Sequence, residues 1–385
     1  MLRERREELT NVINAVPNSP QTLKDGVPRD LPLTRLHLAF EGRVVLAGQT
    51  VAGNFFAEAI ANLIQNVQLK GTKVTGGGSV TIINCRGAEL HRYMRFLETY
   101  IPIGVDLSAV PGSGGTSFPA PLAATANGTF DFRAFFEIPI APRFAMIKDE
   151  IEGILDPSIF SQLDVVVTFA NTGTTAIAAN MTNLASGFTG TTAQFSAFGS
   201  ASGTPIVRVM RFSPLAQGLP INKYHYTKLS KQVNINAIAA TANDTKITDL
   251  NSGNKVVRIM LRQYSQTAGV PGQIDQAAGV SLARVGDNSN PGLFRVRIKL
   301  NGSEKFRSFW PDLQEHNRVQ YDFTTLFPQG YAVADFADRA NMASIFDARG
   351  FGAAAVRFEL FGDWLSLTAN DFIDVFQEEQ IPVEV

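Results

Sequence analysis

The two halves of this chain carry similar short apolar segments in the same order. The corresponding segments are Leu36–Phe40, Asn66–Gly71, Leu163–Phe169 and Ile206–Phe212 in the first half, and Val256–Arg262, Arg295–Gly302, Ala355–Phe361 and Asp371–Phe376 in the second. The spacings between them differ from one half to the other, so the pattern is not the fixed period of a solenoid. It indicates a duplicated domain whose loops differ in length.

The repeated segments have the alternation of half-buried β-strands. In Phe294–Leu300, the apolar residues at 294, 296, 298 and 300 alternate with Arg295, Arg297 and Lys299. A period of two with β-branched and aromatic residues predicts a strand that has one face in a core. Strands outnumber the predicted helices and do not alternate with them strictly, which disfavours a parallel α/β sheet.

The length of 385 residues fits two β-sandwich domains. We therefore predict an all-β fold of two eight-stranded antiparallel jelly-roll β-sandwiches side by side, with a few short helices. The first jelly roll is predicted at 29–217 and the second at 218–385, with Gly218–Pro220 as the joint.

Three short helices are predicted within these domains. Asn54 is a candidate N-cap for a helix over Phe55–Ile64. A second helix is expected over Leu90–Ile101, ended by Pro102, and a third near Asp335–Phe346.

Residues 1–28 are predicted to form an N-terminal arm with a short amphipathic helix. Apolar residues recur there at helical spacing, at Leu2, Leu9, Val12, Ile13 and Val16. Such a helix would pack on its own domain or on a neighbouring subunit, or it would lie on a membrane surface. The basic residues Arg3, Arg5 and Arg6 are therefore candidates for contact with such a membrane surface.

Two long uncharged stretches are predicted as loops. Residues 111–128 are rich in Gly, Ser, Pro and Ala, and residues 171–203 in Thr, Ala, Gly, Ser and Asn. Loops of this length usually carry a function or a contact. Their composition suits either burial against a neighbour or exposure as small surface decorations.

The composition argues against several classes of function. Lys and Arg total 34 against 35 Asp and Glu, so the chain lacks the basic excess of a nucleic-acid coat, and no direct sequence-specific nucleic-acid binding is expected. A single cysteine, Cys85, excludes an intramolecular disulfide. No secretory signal or bilayer-spanning run is recognised. With 28 Phe against 7 Tyr and 2 Trp, the aromatic residues favour core construction over carbohydrate recognition.

Motifs for catalysis, cofactors and metals are weak. Gly76–Gly78 lacks the Lys-Ser/Thr of a phosphate loop and predicts a turn. Cys85 could pair with His91 as a nucleophile, but a lone cysteine is more often a buried filler. Asp287–Gly292 has the oxygen donors of a calcium loop, but a β-turn before the next strand is favoured. We expect no enzyme activity, no cofactor and no metal site.

Two charged groups have similar alternatives. Asp149, Glu150 and Glu152 could act as glycosidase carboxylates, although a solvated helix face is favoured. The basic row consists of Arg295, Arg297 and Lys299, together with Arg258 and Arg262. It could face an anionic partner, but a solvated sheet face or cross-strand pairs with Asp and Glu are favoured.

The order of segments resembles that of the double jelly-roll major capsid proteins of the tectivirus–adenovirus lineage. The segments that carry the resemblance are Leu33–Gly42, Asn62–Gly71, Phe132–Pro142, Ile154–Pro157, Leu163–Phe169, Gly330–Phe336 and the closing strands to Val385. It is a likeness of pattern over most of residues 30–385, without a catalytic signature.

The resemblance implies a structural protein of a membrane-containing icosahedral virus, such as a bacteriophage. It implies pseudo-hexameric homotrimers that tile the shell, neighbouring capsomers as partners, and minor capsid and vertex proteins. It further implies an internal lipid membrane below the shell, a location in the virion, and synthesis in the host cytoplasm. Because the N-terminal arms would reach inward, it also implies that Arg3, Arg5 and Arg6 contact this membrane or the capsid interior. The alternative is an all-β carbohydrate- or receptor-binding protein of the fibre or lectin type, and a jelly-roll glycosidase is the third hypothesis.

Overall fold

The computed structural model describes about two thirds of the chain, which divides into two compact units. Unit 1 comprises Met1–Arg143 and Ile147–His225, and unit 2 consists chiefly of Tyr226–Val383. The described residues are 4–16, 19–47, 53–54, 61–90, 93, 123–124, 128–140, 154–169, 192–200, 202–215, 224–235, 237–265, 292–323, 327, 330–337, 345–349, 356–365 and 371–382.

The described strands of unit 1 form two main sheets and one short two-stranded sheet. The strands are β1 (Glu4–Asn14), β2 (Pro20–Thr22), β3 (Arg35–Ala47), β4 (Gly53–Asn54), β5 (Ile64–Lys73), β6 (Ser79–Cys85), β7 (Ala123–Ala124), β8 (Gly128–Pro139), β9 (Phe160–Phe169), β10 (Thr192–Ser196) and β11 (Ile206–Pro214). One sheet has β1 beside β11 and β11 beside β3, with β8 on the other side of β3; β10 continues the line of β11 along β3. The second sheet has the order β2-β9-β5-β6. Short 3-10 turns lie at Ala61–Leu63 and Pro157–Ile159, and residues 87–90 are helical.

The pairing of the strands in unit 1 is nested. When the short strands β4, β7 and β10 are set aside, the first strand pairs with the last (β1 with β11) and the second with the next to last (β2 with β9). Inside these, β3 pairs with β8 and β5 with β6, all antiparallel. An antiparallel ribbon rolled up in this way gives two packed four-stranded sheets, which is the jelly roll.

Unit 2 repeats this topology. Its strands are β12 (Tyr224–Asn234), β13 (Ala242–Asp249), β14 (Lys255–Ser265), β15 (Gly292–Leu300), β16 (Ser303–Phe309), β17 (Tyr331–Asp335), β18 (Phe346–Asp347), β19 (Phe358–Leu365) and β20 (Asp371–Pro382), and its helix is α1 (Trp310–Gln320). The nested pairs are β12 with β20, β13 with β19, β14 with β17 and β15 with β16. The short strand β18 pairs with β14. The predicted duplication is therefore confirmed, and so is the all-β double jelly-roll fold.

The interior of unit 1 follows the predicted alternation. Leu36, Leu38 and Phe40 on β3 are fully buried, as are the apolar residues at alternate positions of β9. The Phe40 ring lies 5.0 Å from that of Phe132 on β8 and 5.5 Å from that of Phe169 on β9. Phenylalanine thus joins the two sheets of this sandwich, which is the role that its abundance predicted.

Unit 2 has a hydrophobic cluster made only of its own residues. Ile259 and Leu261 of β14 and Ile373 and Val375 of β20 contribute the inner face of one sheet. The other sheet contributes Leu293, Val296, Ile298, Leu360 and Trp364. This cluster fits the expectation that each sandwich has its own interior.

Helix α1 covers the edge of a sheet in unit 2. β17 is the last strand of the sheet β12-β20-β14-β17. The buried side chain of Asn317 donates to the carbonyl of Val333 and accepts from its N–H, both at 2.8 Å. Gln314 donates to the carbonyl of Tyr331 at 3.0 Å. The helix therefore satisfies backbone groups that an edge strand would otherwise expose.

The predicted helix at the N-terminus is wrong. Glu4–Asn14 forms β1, which pairs with β11 as part of the first sandwich. The error comes from a bulge between Glu8 and Val12. Asn11, at this bulge, donates a hydrogen bond to the carbonyl of Lys24 and does not enter the core. The buried residues Leu9 and Ile13 therefore follow each other at an interval of four, as on one face of a helix, and not at the interval of two that indicates a strand.

The other helix predictions had mixed outcomes. Most of Phe55–Ile64 lies outside the described residues, but Ile64 begins β5. Leu90 is helical, whereas most of the segment predicted to follow it is not described. Asp335 and Phe346 are strand residues, so the ends of the third predicted helix are wrong. Helix α1 was not predicted.

The loop and joint predictions fall largely on residues outside the described part. This applies to Gly218–Pro220 and to most of 111–128. Within 171–203 the structure has a strand, β10, that the sequence analysis did not predict.

Candidate functional site

The outer face of the sheet formed by β1, β11, β3 and β8 is covered with charged side chains that pair across the strands. We call this surface the outer face of unit 1. Its ionisable residues in the described part are Glu4, Arg6 and Glu8 on β1, Arg208 on β11, Arg35, His37, Glu41 and Arg43 on β3, and Asp131, Arg133 and Glu137 on β8. They occupy the alternate positions opposite Leu36, Leu38 and Phe40, which fill the core.

At one end of this face, Arg35 forms ion pairs with carboxylates on two other strands, β1 and β8. Its guanidinium lies 2.5 Å from a carboxylate oxygen of Glu4 and 3.2 Å from one of Glu137. The Nε2 atom of His37 lies 2.7 Å from the same oxygen of Glu137. Glu137 is almost fully buried, so these contacts compensate its desolvation.

In the middle of the face, Glu41 is shared by two arginines. Arg133 of β8 approaches it at 3.0 Å and Arg208 of β11 at 3.4 Å, while Arg208 also lies 3.1 Å from Glu8. The hydrogen bonds to Glu8 and Glu41 raise the pKa of Arg208 despite partial burial. Both side chains remain partly exposed to solvent, to 43% for Arg133 and 41% for Arg208.

At the other end, Asp131 organises a turn. Its carboxylate accepts two hydrogen bonds from Arg43, at 2.6 and 2.7 Å, and one from the backbone N–H of Gly199 at 3.0 Å. The Arg43 hydrogen bonds hold the pKa of Asp131 below its usual value. The turn so fixed presents Phe198, which is 38% exposed, with the Arg133 guanidinium 5.0 Å from its ring centre.

An apolar patch lies among these charges. Ala39, Met210 and Phe212 form a small buried cluster with the partly buried Phe135 beside it. Cationic side chains cover this patch: the Arg35 guanidinium lies 4.5 Å from the ring centre of Phe212, and Arg6 donates to the sulfur of Met210 at 2.8 Å.

In unit 2, the equivalent sheet carries a fully buried charge cluster. Glu378 of β20 lies 3.0 Å from Arg258 and 3.3 Å from Lys228, and all three are at most 1% exposed. Tyr321 donates to Asp335 at 2.7 Å, and burial raises the pKa of the Tyr321 hydroxyl well above its usual value. The cluster satisfies much of its charge internally.

The predicted basic row is divided between two sheets. Arg295 and Arg297 both contact Asp363 of β19, at 3.0 and 2.9 Å, and Lys299 contacts Asp244 at 2.8 Å. Arg258 and Arg262 belong to the other sheet, where they are buried with Glu378 and Asp374. The prediction of pairing with Asp and Glu is therefore confirmed.

The N-terminal arginines do not form one group. Arg3 lies outside the described residues. Arg5 is 59% exposed and lies 3.8 Å from Glu7. Arg6, next to it on β1, belongs to the outer face of unit 1. Their predicted contact with a membrane or capsid interior stays a prediction.

The remaining candidate motifs contribute little chemistry. Cys85 is buried, and Gly76–Gly78 is the predicted turn, between β5 and β6. His91, Asp149, Glu150, Glu152 and Asp287–Pro291 lie outside the described residues. Within the described part, no three His, Cys, Asp or Glu side chains are grouped so that they could hold a metal ion. None of the helices described there is long and apolar enough to span a membrane.

Sequence comparison finds no match for this chain, whereas structure comparison finds proteins of similar fold. No family model and no curated protein matches the sequence. The major capsid protein of Sulfolobus turreted icosahedral virus is similar to it with a TM-score of 0.61 and 13% identity, covering 99% of this chain and 97% of that one. The major capsid protein P2 of bacteriophage PM2 gives 0.51 and 8%, covering 99% and 98%. The Faustovirus major capsid protein gives 0.52 and 9%, covering 100% and 91%.

These likenesses extend over nearly the whole length of each chain. The chain therefore has the double jelly-roll fold of viral major capsid proteins, as the resemblance predicted. At identities of 8 to 13%, it is the fold that the comparison establishes.

Proposed function

We propose that this chain is the major capsid protein of an icosahedral virus. The observation that carries the proposal is the nested strand pairing, which occurs twice in one chain and matches viral capsid proteins from end to end. A fold alone does not define a function, but here the matched proteins are capsid proteins and the match leaves almost no additional domain in which another activity would reside. The proposed role is structural and not catalytic, and its place is the virion.

We propose further that the chain assembles as a homotrimer with a pseudo-hexameric outline. Three copies of a chain with two similar sandwiches bring six sandwiches into one closed ring, which suits hexagonal tiling. Light scattering coupled to size-exclusion chromatography should then give three times 41.8 kDa. A stable monomer at tens of micromolar would contradict the trimer.

Minor capsid and vertex proteins and an internal membrane complete this proposal. An exposed guanidinium such as that of Arg5 suits contact with lipid phosphate groups. Flotation with anionic vesicles tests the lipid contact. We expect binding that Arg5→Glu weakens and high salt abolishes, and equal flotation of Arg5→Glu and the unchanged protein would remove Arg5 from the contact.

A further inference from the structure

We infer that the outer face of unit 1 is a surface on which a second copy of this chain docks, with the exposed Phe198 and its neighbour Arg133 in the contact. The inference rests on the proposed function, because it names the surface through which the chain assembles. Three features of the described residues carry it: the charge of the face, its residue types, and its difference from the equivalent face of unit 2.

The face is electrically balanced. Its charged side chains in the described part are five carboxylates, of Glu4, Glu8, Glu41, Asp131 and Glu137, and five guanidinium groups, of Arg6, Arg35, Arg43, Arg133 and Arg208. Most are already paired within the chain. A partner can therefore cover the face without leaving a charge buried and unpaired, which is the costly outcome at an interface.

The residue types are those of interfaces. Aromatic residues, methionine and arginine are enriched in protein contacts, while lysine is depleted. The outer face exposes Phe198, and its Phe135 is partly buried, while Met210 and Phe212 lie below the side chains of Arg6 and Arg35. No lysine lies among its described residues.

The two units use the equivalent sheet differently. In unit 2, Lys228, Arg258 and Glu378 on the sheet β12-β20-β14-β17 are at most 1% exposed. Ala337 and Ile345, which follow β17, pack against Tyr226 and Val257 of that sheet. In unit 1, by contrast, Arg133 and Arg208 on the corresponding sheet each have more than 40% of the side chain exposed to solvent.

The balance of charge on this face also indicates which kind of partner binds there. Nucleic acid and anionic lipid surfaces bind to clustered positive charge, and this face has no excess of it. A second copy of a chain with a formal charge of -1 meets little repulsion at a neutral face. The contact would also explain the uncharged stretch 171–203, because Phe198 lies within it.

Cysteine labelling tests the contact without requiring that a variant lose assembly. The chain's only cysteine, Cys85, is buried, so a thiol introduced at the surface reacts selectively. Phe198→Cys is compared with Val74→Cys. Val74 lies at the tip of the β5–β6 hairpin, in the other sheet of unit 1, and is 61% exposed. Both are treated with a hydrophilic maleimide, above and below the concentration at which light scattering shows assembly.

We expect the thiol of Phe198→Cys to react at least tenfold more slowly in the assembled state than in the dissociated state. The thiol of Val74→Cys should react at similar rates in both states. Equal rates for Phe198→Cys in the two states, or equal protection of both thiols, would overturn the assignment of this face.

A charge variant gives an independent reading. Phe198→Asp should weaken self-association at least tenfold, and the matched Val74→Asp should leave it unchanged, with both variants unfolding at the temperature of the parent. If the parent assembles and Phe198→Asp assembles equally well, the docking surface is refuted while the proposed function stands. If the parent itself stays monomeric at tens of micromolar, the proposed trimer fails, and the docking surface fails with it.

Discussion

At the scale of single residues, side chains of a neighbouring strand in the same sheet approach the backbone so closely in places that only glycine fits. A Cβ atom built on Gly71 of β5 would lie 2.4 Å from the Phe160 ring of β9, and one on Gly362 of β19 would lie 2.4 Å from a methyl group of Leu293 on β15. The two strand pairs concerned, β5 with β9 in unit 1 and β15 with β19 in unit 2, have equivalent places in the nested order. The close approach is therefore a repeated feature of the sandwich.

We predict that Gly71→Ala destabilises unit 1 by about 1–3 kcal/mol, because the buried Phe160 ring would have to move within a packed core. Gly78→Ala is the matched control, since its added Cβ would meet nothing within 4 Å. Urea unfolding followed by circular dichroism measures both. Equal stability of the two variants would contradict the packing described here.

A second prediction concerns Glu379, a buried carboxylate on β20. Burial raises its pKa, although Asn254 donates a hydrogen bond to it at 2.6 Å. Because the folded state then holds the proton more tightly than the unfolded state, the stability from this group is present at low pH and is lost as the pH rises through the folded pKa. Glu379→Gln keeps an acceptor oxygen and carries no charge.

The expected result is that Glu379→Gln raises Tm by a few degrees at pH 8 and by less at pH 4, where the wild-type carboxyl is largely protonated. Differential scanning calorimetry of the two proteins at both pH values gives the difference. A larger loss of Tm at pH 8 than at pH 4 would contradict the raised pKa.

At the scale of elements, the strands with the clearest period of two were predicted, whereas β1, whose alternation is interrupted, was missed. β3, β9 and β15 keep the period of two and were predicted. β1 was missed because its bulge places a polar Asn11 between buried residues. Helix α1 was missed because one of its three buried side chains is the polar Asn317, which bonds an edge strand instead of filling a core.

The candidate surface could not be predicted for a related reason. Glu41 pairs with Arg133 and Arg208, which are far from it and from each other in the sequence. These pairs depend on the register between β3, β8 and β11, and that register is fixed by the core residues on the opposite face. The charged residues alone contain no signal of the pairing.

Asn317 offers a test at this scale. Asn317→Ala removes both of its hydrogen bonds to Val333 and leaves those buried backbone groups unpaired, so we predict a loss of about 2–4 kcal/mol. Glu315→Ala is the control, because Glu315 lies on the same helix, is exposed and contacts only Arg318 among the described residues. Chemical unfolding that finds Asn317→Ala no weaker than the control would refute the role of α1 at this edge.

The corrected N-terminus gives another prediction. Removing residues 1–16 deletes β1 and with it the ion pair between Glu4 and Arg35 and the buried residues Leu9 and Ile13. We expect the shortened chain to aggregate or to lose the cooperative unfolding of unit 1, because the edge of β11 would be exposed. A chain lacking only residues 1–3 should fold normally. A folded, soluble product of the longer deletion would mean that β1 is a dispensable arm after all.

At the scale of the whole molecule, one topology formed twice explains why the chain is so long and why its described residues contain so few helices. Each unit places alternate residues inside a sandwich, and the hydrophobic cluster of unit 2 contains no residue of unit 1. With a single buried cysteine and no disulfide, stability depends on this packing. The low sequence identity to known capsid proteins agrees with a fold specified by pattern more than by particular residues.

Electron cryomicroscopy of the particle that contains this chain tests the central proposal most directly. We predict a shell of capsomers that each hold three copies of the chain and show six sandwich-shaped densities, two for each copy. The proposal would be contradicted if the capsomers contained a different number of copies. It would also be contradicted if the chain were found in the particle but outside its shell.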